Sequence, residues 1–207
     1  MGKVDANKKQ KRDSLLDAAF RLFIKNGFYK TSISDIVAKA GVAKGTFYLY
    51  FTDKDDIRNH LISFKANQVF RAAYRDLLKE NIEEFEDQVI FMIDHILNQF
   101  CEDKSLVLFL SKHLSWGFFK DALIEPGDDE SLTIFDIYQR LLVRSKRTFR
   151  NPEVMIFMIL ELVSGTSYHA ILYNQPMNID EFKPYLYRSV RNILREETLP
   201  DNESISS

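Results

Sequence analysis

The stretch Thr31-Ser32-Ile33-Ser34-Asp35-Ile36-Val37-Ala38-Lys39-Ala40-Gly41-Val42-Ala43-Lys44-Gly45-Thr46-Phe47-Tyr48-Leu49-Tyr50-Phe51 decides how the rest of the chain is read. Ser32 and Asp35 stand at the spacing of a capping box, so a helix is expected to begin there. Ile33, Ile36, Val37 and Ala40 give it one apolar face over two turns, and Gly41 supplies the left-handed residue that ends it. After Gly41-Val42-Ala43 a second short helix is expected over Lys44–Phe51, with Phe47 and Phe51, four residues apart, turned toward a core.

Upstream, Leu15, Leu16, Ala19, Phe20 and Phe23 recur at three- and four-residue intervals between Lys9 and Lys25, and Asn26-Gly27 closes that amphipathic helix. Downstream, Thr52-Asp53-Lys54-Asp55 offers another capping box, opening a long helix that carries Ile57, Leu61, Ile62, Phe64, Val69, Phe70, Ala73, Leu77 and Leu78. Two short helices joined by a glycine-containing turn after a supporting helix form a helix-turn-helix pattern. In that geometry the second helix enters the major groove of DNA. Gly45 there lets the backbone come close, Thr46 donates, accepts or packs on a thymine methyl, and Lys44 pairs with phosphate.

Charge follows the same division. The 207 residues carry a formal net charge of -2, which for the whole chain argues against a polyanionic partner. Residues 1–54, however, hold 11 Lys and Arg against 5 acids, while 55–207 hold 17 against 25. A basic quarter on an acidic body is the pattern of a protein that meets nucleic acid at one end only. For the Lys3–Arg12 cluster alone, a solvated or frayed segment is an equal reading.

The residues from Gly27 to Ile57 resemble the DNA-binding domain of the TetR (tetracycline repressor) family of bacterial transcription regulators, a likeness that runs over about 30 consecutive positions. Two positions depart from the family pattern. Ala43 replaces a frequent serine, removing a side-chain cap, and Leu49 stands where polar or aromatic residues are common. The resemblance implies that Lys44, Gly45, Thr46, Tyr48 and Tyr50 line the groove face. It places Lys54, Thr31 and Ser32 against phosphate and aims Ser34 at a base. Further core aromatics are an alternative reading of Tyr48 and Tyr50.

The remainder reads as helices over Glu83–Phe100, Ser105–Phe119, Leu132–Arg147, Pro152–Tyr173 and Glu181–Glu197. A loop spans Glu125–Ser131 and a polar tail Asp201–Ser207. The expected fold is therefore all-α with about nine helices: a helix-turn-helix domain over 1–54, a helical regulatory and dimerisation domain over 55–198, and a disordered tail over 199–207. By resemblance the C-terminal helices dimerise and hold an inducer. Ser164, Gly165, Tyr168, Phe182, Tyr185, Leu186, Ser189, Val190 and Ile193 are the expected interface. His95, His113, Trp116, Tyr138 and Glu161 are the expected pocket for a hydrophobic small molecule. The partners are then a palindromic double-stranded operator, a second copy of the chain and that effector. The alternative is a protein of this fold that answers to a protein partner instead.

Catalysis is not expected. His60, His95, His113 and His169 form no H-E-x-x-H or E-x-x-H pair, and no phosphate-cradling glycine loop or G-x-S-x-G occurs, so neither a metal nor another cofactor is expected. A single cysteine, Cys101, and no leader pattern lead to a cytoplasmic expectation. The longest apolar runs, Val154–Leu160 and Leu106–Leu110, fall short of a membrane span.

Overall fold

A computed structural model describes residues 3–110 and 132–200 of the chain, with side chains from residue 5 onward. Among them are nine helices: α1 Lys3–Asn26, α2 Ile33–Ala40, α3 Lys44–Phe47, α4 Lys54–Leu77, α5 Phe85–Glu102, α6 Lys104–Leu110, α7 Ile134–Ser145, α8 Pro152–Tyr173 and α9 Ile179–Glu197. The only β-type pairing among the described residues is one bridge between Phe149 and Thr198. His113, Trp116, the expected helix beyond Leu110, the Glu125–Ser131 loop and the tail from Asp201 lie outside the described residues.

The packing divides the chain into two compact units, Met1–Lys65 and Ala66–Ser207. In the first, α1 contributes Leu15, Leu16, Ala19 and Phe23, α2 contributes Ile36 and Val37, and the α3 region contributes Phe47 and Phe51, all buried. These are the residues at helical spacing, because a helix at the surface of a small core buries only one stripe. Ile57, Leu61 and Ile62 complete this core. Lys65 reaches Asp17 at 3.0 Å and lies 4.7 Å over the Phe20 ring, which ties the middle of α4 to α1.

The second unit is built on Val69, Ala73 and Leu77 of α4, Met92, Ile96 and Leu97 of α5, Ile137 and Leu141 of α7, Met155 and Ile159 of α8, and Leu186, Val190 and Leu194 of α9. Its helix starts follow local rules. Asn151 caps α8 through Val154 N–H with Pro152 in the first turn, and Asn178 caps α9 through Glu181 N–H. The start of α7 shifts from the expected Leu132 to Ile134, because Thr133 and Asp136 form a complete capping box. The box donates two hydrogen bonds to Asp136, which lowers the pKa of that carboxyl.

Helix α8 corrects one expectation. Pro152–Tyr173 is long and apolar enough to cross a membrane by length and composition, yet only 28% of its most apolar window is buried in the protein. Reading uninterrupted runs misses this because Glu153, Glu161 and small polar residues break the run without lowering its average much.

Candidate nucleic-acid interface

The helix-turn-helix forms as the spacing requires. Ser32 Oγ accepts from Asp35 N–H at 3.1 Å while Asp35 Oδ2 accepts from Ser32 N–H at 2.9 Å and from its hydroxyl at 2.7 Å. Those bonds hold the Asp35 carboxyl below its usual range. Gly41 ends α2 at φ 69°, a left-handed conformation that strains any residue with a Cβ, and its N–H returns to the last turn.

Helix α3 is shorter than expected, four residues rather than eight. Ala43 makes no side-chain cap, so the helix lacks that support at its start. The chain continues as a tight turn in which Leu49 N–H donates to Thr46 O at 3.3 Å and Tyr50 N–H donates to Phe47 O at 3.0 Å. These bonds span three residues, the 3₁₀ pattern in which side chains three apart eclipse one another. Phe47 and Phe51 remain inside, at 0% and 2% exposure. Lys44, Gly45, Tyr48 and Leu49 are exposed, and Thr46 and Tyr50 are half-buried. The structure thus separates the two tyrosines: Tyr48 is 54% exposed, while Tyr50 is partly covered.

Two residues expected at phosphate have internal duties. Thr31 is only 1% exposed, and its hydroxyl faces Gly27 O at 2.9 Å and Leu22 O at 3.3 Å, so its side chain is turned away from any ligand. Lys54 Nζ donates to Phe28 O at 2.9 Å and Thr31 O at 3.0 Å and lies 4.4 Å from the Phe28 ring centre. Arg58 approaches the same ring at 4.6 Å, making Phe28 a platform for two cations. Sequence spacing gives no sign of this, because the partners are 26 residues apart. The expected box at Thr52 and Asp55 moves by one residue: Asp53 Oδ1 caps Asp56 N–H at 2.8 Å, and Asp56 reaches back to Thr52 N–H at 2.7 Å. Ser32 and Ser34 are exposed at the start of α2. Sequence reasoning also passed over Tyr29, which is 92% exposed beside this helix start.

In the second unit the expected pocket and interface are redistributed. A cavity of about 130 Å³ lies between apolar side chains of α4, α5, α7, α8 and α9, among them Phe70, Met92, Ile137 and Ile159. Tyr138 lines it, with its hydroxyl donating to Pro152 O at 2.5 Å and its pKa raised by burial. Ser164, expected at the interface, lines the cavity instead. His95 is not among the lining residues; its Nε2 lies 2.9 Å from Asp76 and its Nδ1 3.1 Å from Gln99. Glu161 is exposed. Leu186 and Val190, at 1% and 0% exposure, belong to the core of the unit, because positions 186, 190 and 194 form the stripe of α9 that faces inward. Phe182, Ile193 and Tyr168 pack half-buried against that core. Gly165, Tyr185 and Ser189 remain on the surface. No group of three or more potential metal ligands occurs among the described residues.

Comparison with known proteins bears on the N-terminal segment and on the fold. Residues 15–61 match the family of bacterial regulatory proteins, tetR family. The fatty acid metabolism regulator protein of Bacillus subtilis (strain 168) is 36% identical over 110 residues, a match that spans 52% of this chain and only 47% of that protein's length. The solved fatty acid degradation regulator FadR from Bacillus halodurans superposes with a TM-score of 0.63 at 20% identity, covering 87% of this chain and 94% of that one. FadR from Bacillus subtilis in complex with stearoyl-CoA gives 0.56 at 18% identity, covering 86% and 96%. At these identities the solved structures establish the all-helical fold, and the matched N-terminal segment runs from the second half of α1 into the first turns of α4. Residues 15–61 place the N-terminal unit of this chain in the tetR family of bacterial regulatory proteins, and the whole chain shares the all-helical fold of the solved regulators.

Proposed function

We propose that the protein is a DNA-binding transcription regulator that grips a palindromic operator as a homodimer and is released by an apolar small molecule. The observation that carries this reading is the division of side chains around α3. Phe47 and Phe51 anchor it to the core of the first unit, which frees Lys44, Gly45, Tyr48 and Leu49 to face outward. The unit that holds them, residues 1–65, has 13 Lys and Arg against 7 acids. Lys44, Ser32 and the helical basic segment Lys8–Lys11 meet phosphate, while Gly45, Thr46 and Tyr48 approach base edges. Thr31 and Lys54 act from within, fixing the α1–α2 loop on which the interface stands.

Dimerisation places two such heads on one two-fold axis, as a palindrome requires. The exposed positions Val154, Glu161 and Gly165 of α8 recur on one helical face and, with Tyr185 and Ser189 of α9, form the surface for it. The apolar character of α8 supports this: Val154 and Phe157 remain exposed on it, and an apolar helix with exposed large side chains gains by meeting another surface.

For the effector, the apolar cavity supports a hydrophobic ligand, and the relatives named for fatty acid metabolism favour an acyl chain. A cavity of about 130 Å³ is smaller than ordinary ligand pockets of roughly 300–1,000 Å³. Binding an acyl-CoA therefore requires the side chains lining the cavity to move apart.

The test is selection of bound duplexes from a random pool with the full chain, repeated with acyl-CoAs of increasing length. Enrichment of one palindrome, lost with a long-chain acyl-CoA, is the expected result. No enriched sequence would overturn DNA recognition. Enrichment unaffected by every acyl-CoA would overturn the effector alone.

A further inference from the structure

On the basis of that DNA-binding reading, we infer that Leu49 is a specificity-determining residue that reads the C5-methyl group of a thymine in each half-site. Leu49 is 78% exposed, the most exposed large aliphatic side chain among the described residues of the first unit. The core beside it is already filled by Phe47 and Phe51, so Leu49 has no packing role to explain its type. Its position is nonetheless fixed. Its N–H donates to Thr46 O at 3.3 Å, and the bonds from Tyr50 and Phe51 N–H to Phe47 O, both 3.0 Å, close the turn on either side of it.

The 3₁₀ geometry of this turn has a consequence for direction. The Leu49 N–H bond to Thr46 O spans three residues, and side chains at that spacing eclipse, so Leu49 stands over Thr46. The surface offered outward is then a polar edge at Lys44, Gly45 and Thr46, continued by an apolar edge at Leu49. An isobutyl group neither donates nor accepts a hydrogen bond. In the major groove the one base feature that rewards such a group is the thymine methyl, since guanine, cytosine and adenine present donors and acceptors there. A leucine at this place therefore favours thymine and leaves the polar base edges unsatisfied, which adds discrimination against the other bases.

The experiment replaces thymine by uracil, one position at a time, in the enriched palindrome, and measures affinity by fluorescence anisotropy. Uracil keeps every hydrogen-bonding group and removes only the methyl. For the unaltered chain, one symmetric position is expected to weaken binding about fourfold per half-site, the value of one buried methyl group. Leu49→Ala is expected to bind thymine and uracil duplexes equally at that position, while Thr46→Ser retains the difference. Because Leu49 is exposed, its alanine variant is expected to melt at the same temperature as the unaltered chain, which separates a lost contact from a lost fold. Uracil tolerated at every position, or a methyl preference that survives Leu49→Ala, would overturn this inference and leave DNA binding standing. Failure to enrich any duplex would overturn both.

Discussion

The two units of this chain solve different problems with the same kind of helix. In residues 1–65 the buried stripes of α1 and α2 and the two phenylalanines of the α3 region meet in one filled core, and the surface carries surplus positive charge. In residues 66–207 the core holds a cavity, α8 keeps Val154 and Phe157 exposed, and acids outnumber bases by 23 to 15. A filled core fixes a reading surface to within the tolerance that base contacts demand. A core with space in it, beside a partly exposed apolar helix, is suited to change when something binds. The difference teaches that net charge near zero can conceal two opposite surfaces.

The largest expected effect breaks the first core. Phe47→Ala removes a fully buried ring at the foot of α3 and is expected to cost about 3–5 kcal/mol, read from urea unfolding of the full chain, with operator binding lost as well. In the second unit, Leu186→Ala is expected to cost about 2–5 kcal/mol of stability, because Leu186 is a core residue rather than an interface residue. Tyr185→Ala, one position earlier and 52% exposed, is expected to weaken self-association instead with little effect on unfolding. Sedimentation at several concentrations separates the two. If Leu186→Ala altered only assembly, the division between core and surface on α9 would be wrong.

Smaller effects sharpen the contrast at the helix ends. Ser32→Ala deletes one arm of the α2 capping box and is expected to lower stability by about 1 kcal/mol in thermal unfolding. On the acidic unit, Lys79 and then His95 hydrogen-bond to Asp76 and hold its carboxyl down at about 2, below the ordinary value of 3.8. As pH falls the unfolded chain takes up that proton first, so the contribution of Asp76 to stability is present above about pH 4 and lost as pH approaches 2. Asp76→Asn is expected to flatten that part of the acid unfolding curve. An unchanged slope would show that the Asp76 contacts do not persist in solution.

How much of this was legible in the sequence follows the range of the interactions. The capping box at Ser32 and Asp35, the left-handed glycine at Gly41, the buried pair Phe47 and Phe51, and the helix starts at Asn151 and Asn178 are local, and residue type and spacing are enough to find them. Thr31 and Lys54 were harder, since Thr31 bonds to a carbonyl nine residues back and Lys54 to carbonyls 23 and 26 residues back. The second unit was less legible still. An apolar position on α9 faces either the core or a partner, and only packing against α5 and α8 assigns Leu186 and Val190 to the core while leaving Tyr185 outside. Histidine among apolar residues likewise reads as a pocket group until Asp76 and Gln99 are seen to hold His95.

The most direct test of the account is to compare binding of the full chain to the selected palindrome and to a shuffled duplex of the same composition over a range of salt concentrations. The account predicts an affinity ratio of at least about 10³, with steep loss of binding as salt rises and a slope reduced by about one per chain in Lys44→Ala. Equal affinity for both duplexes, or binding that Lys44→Ala leaves unchanged in strength and slope, would contradict it.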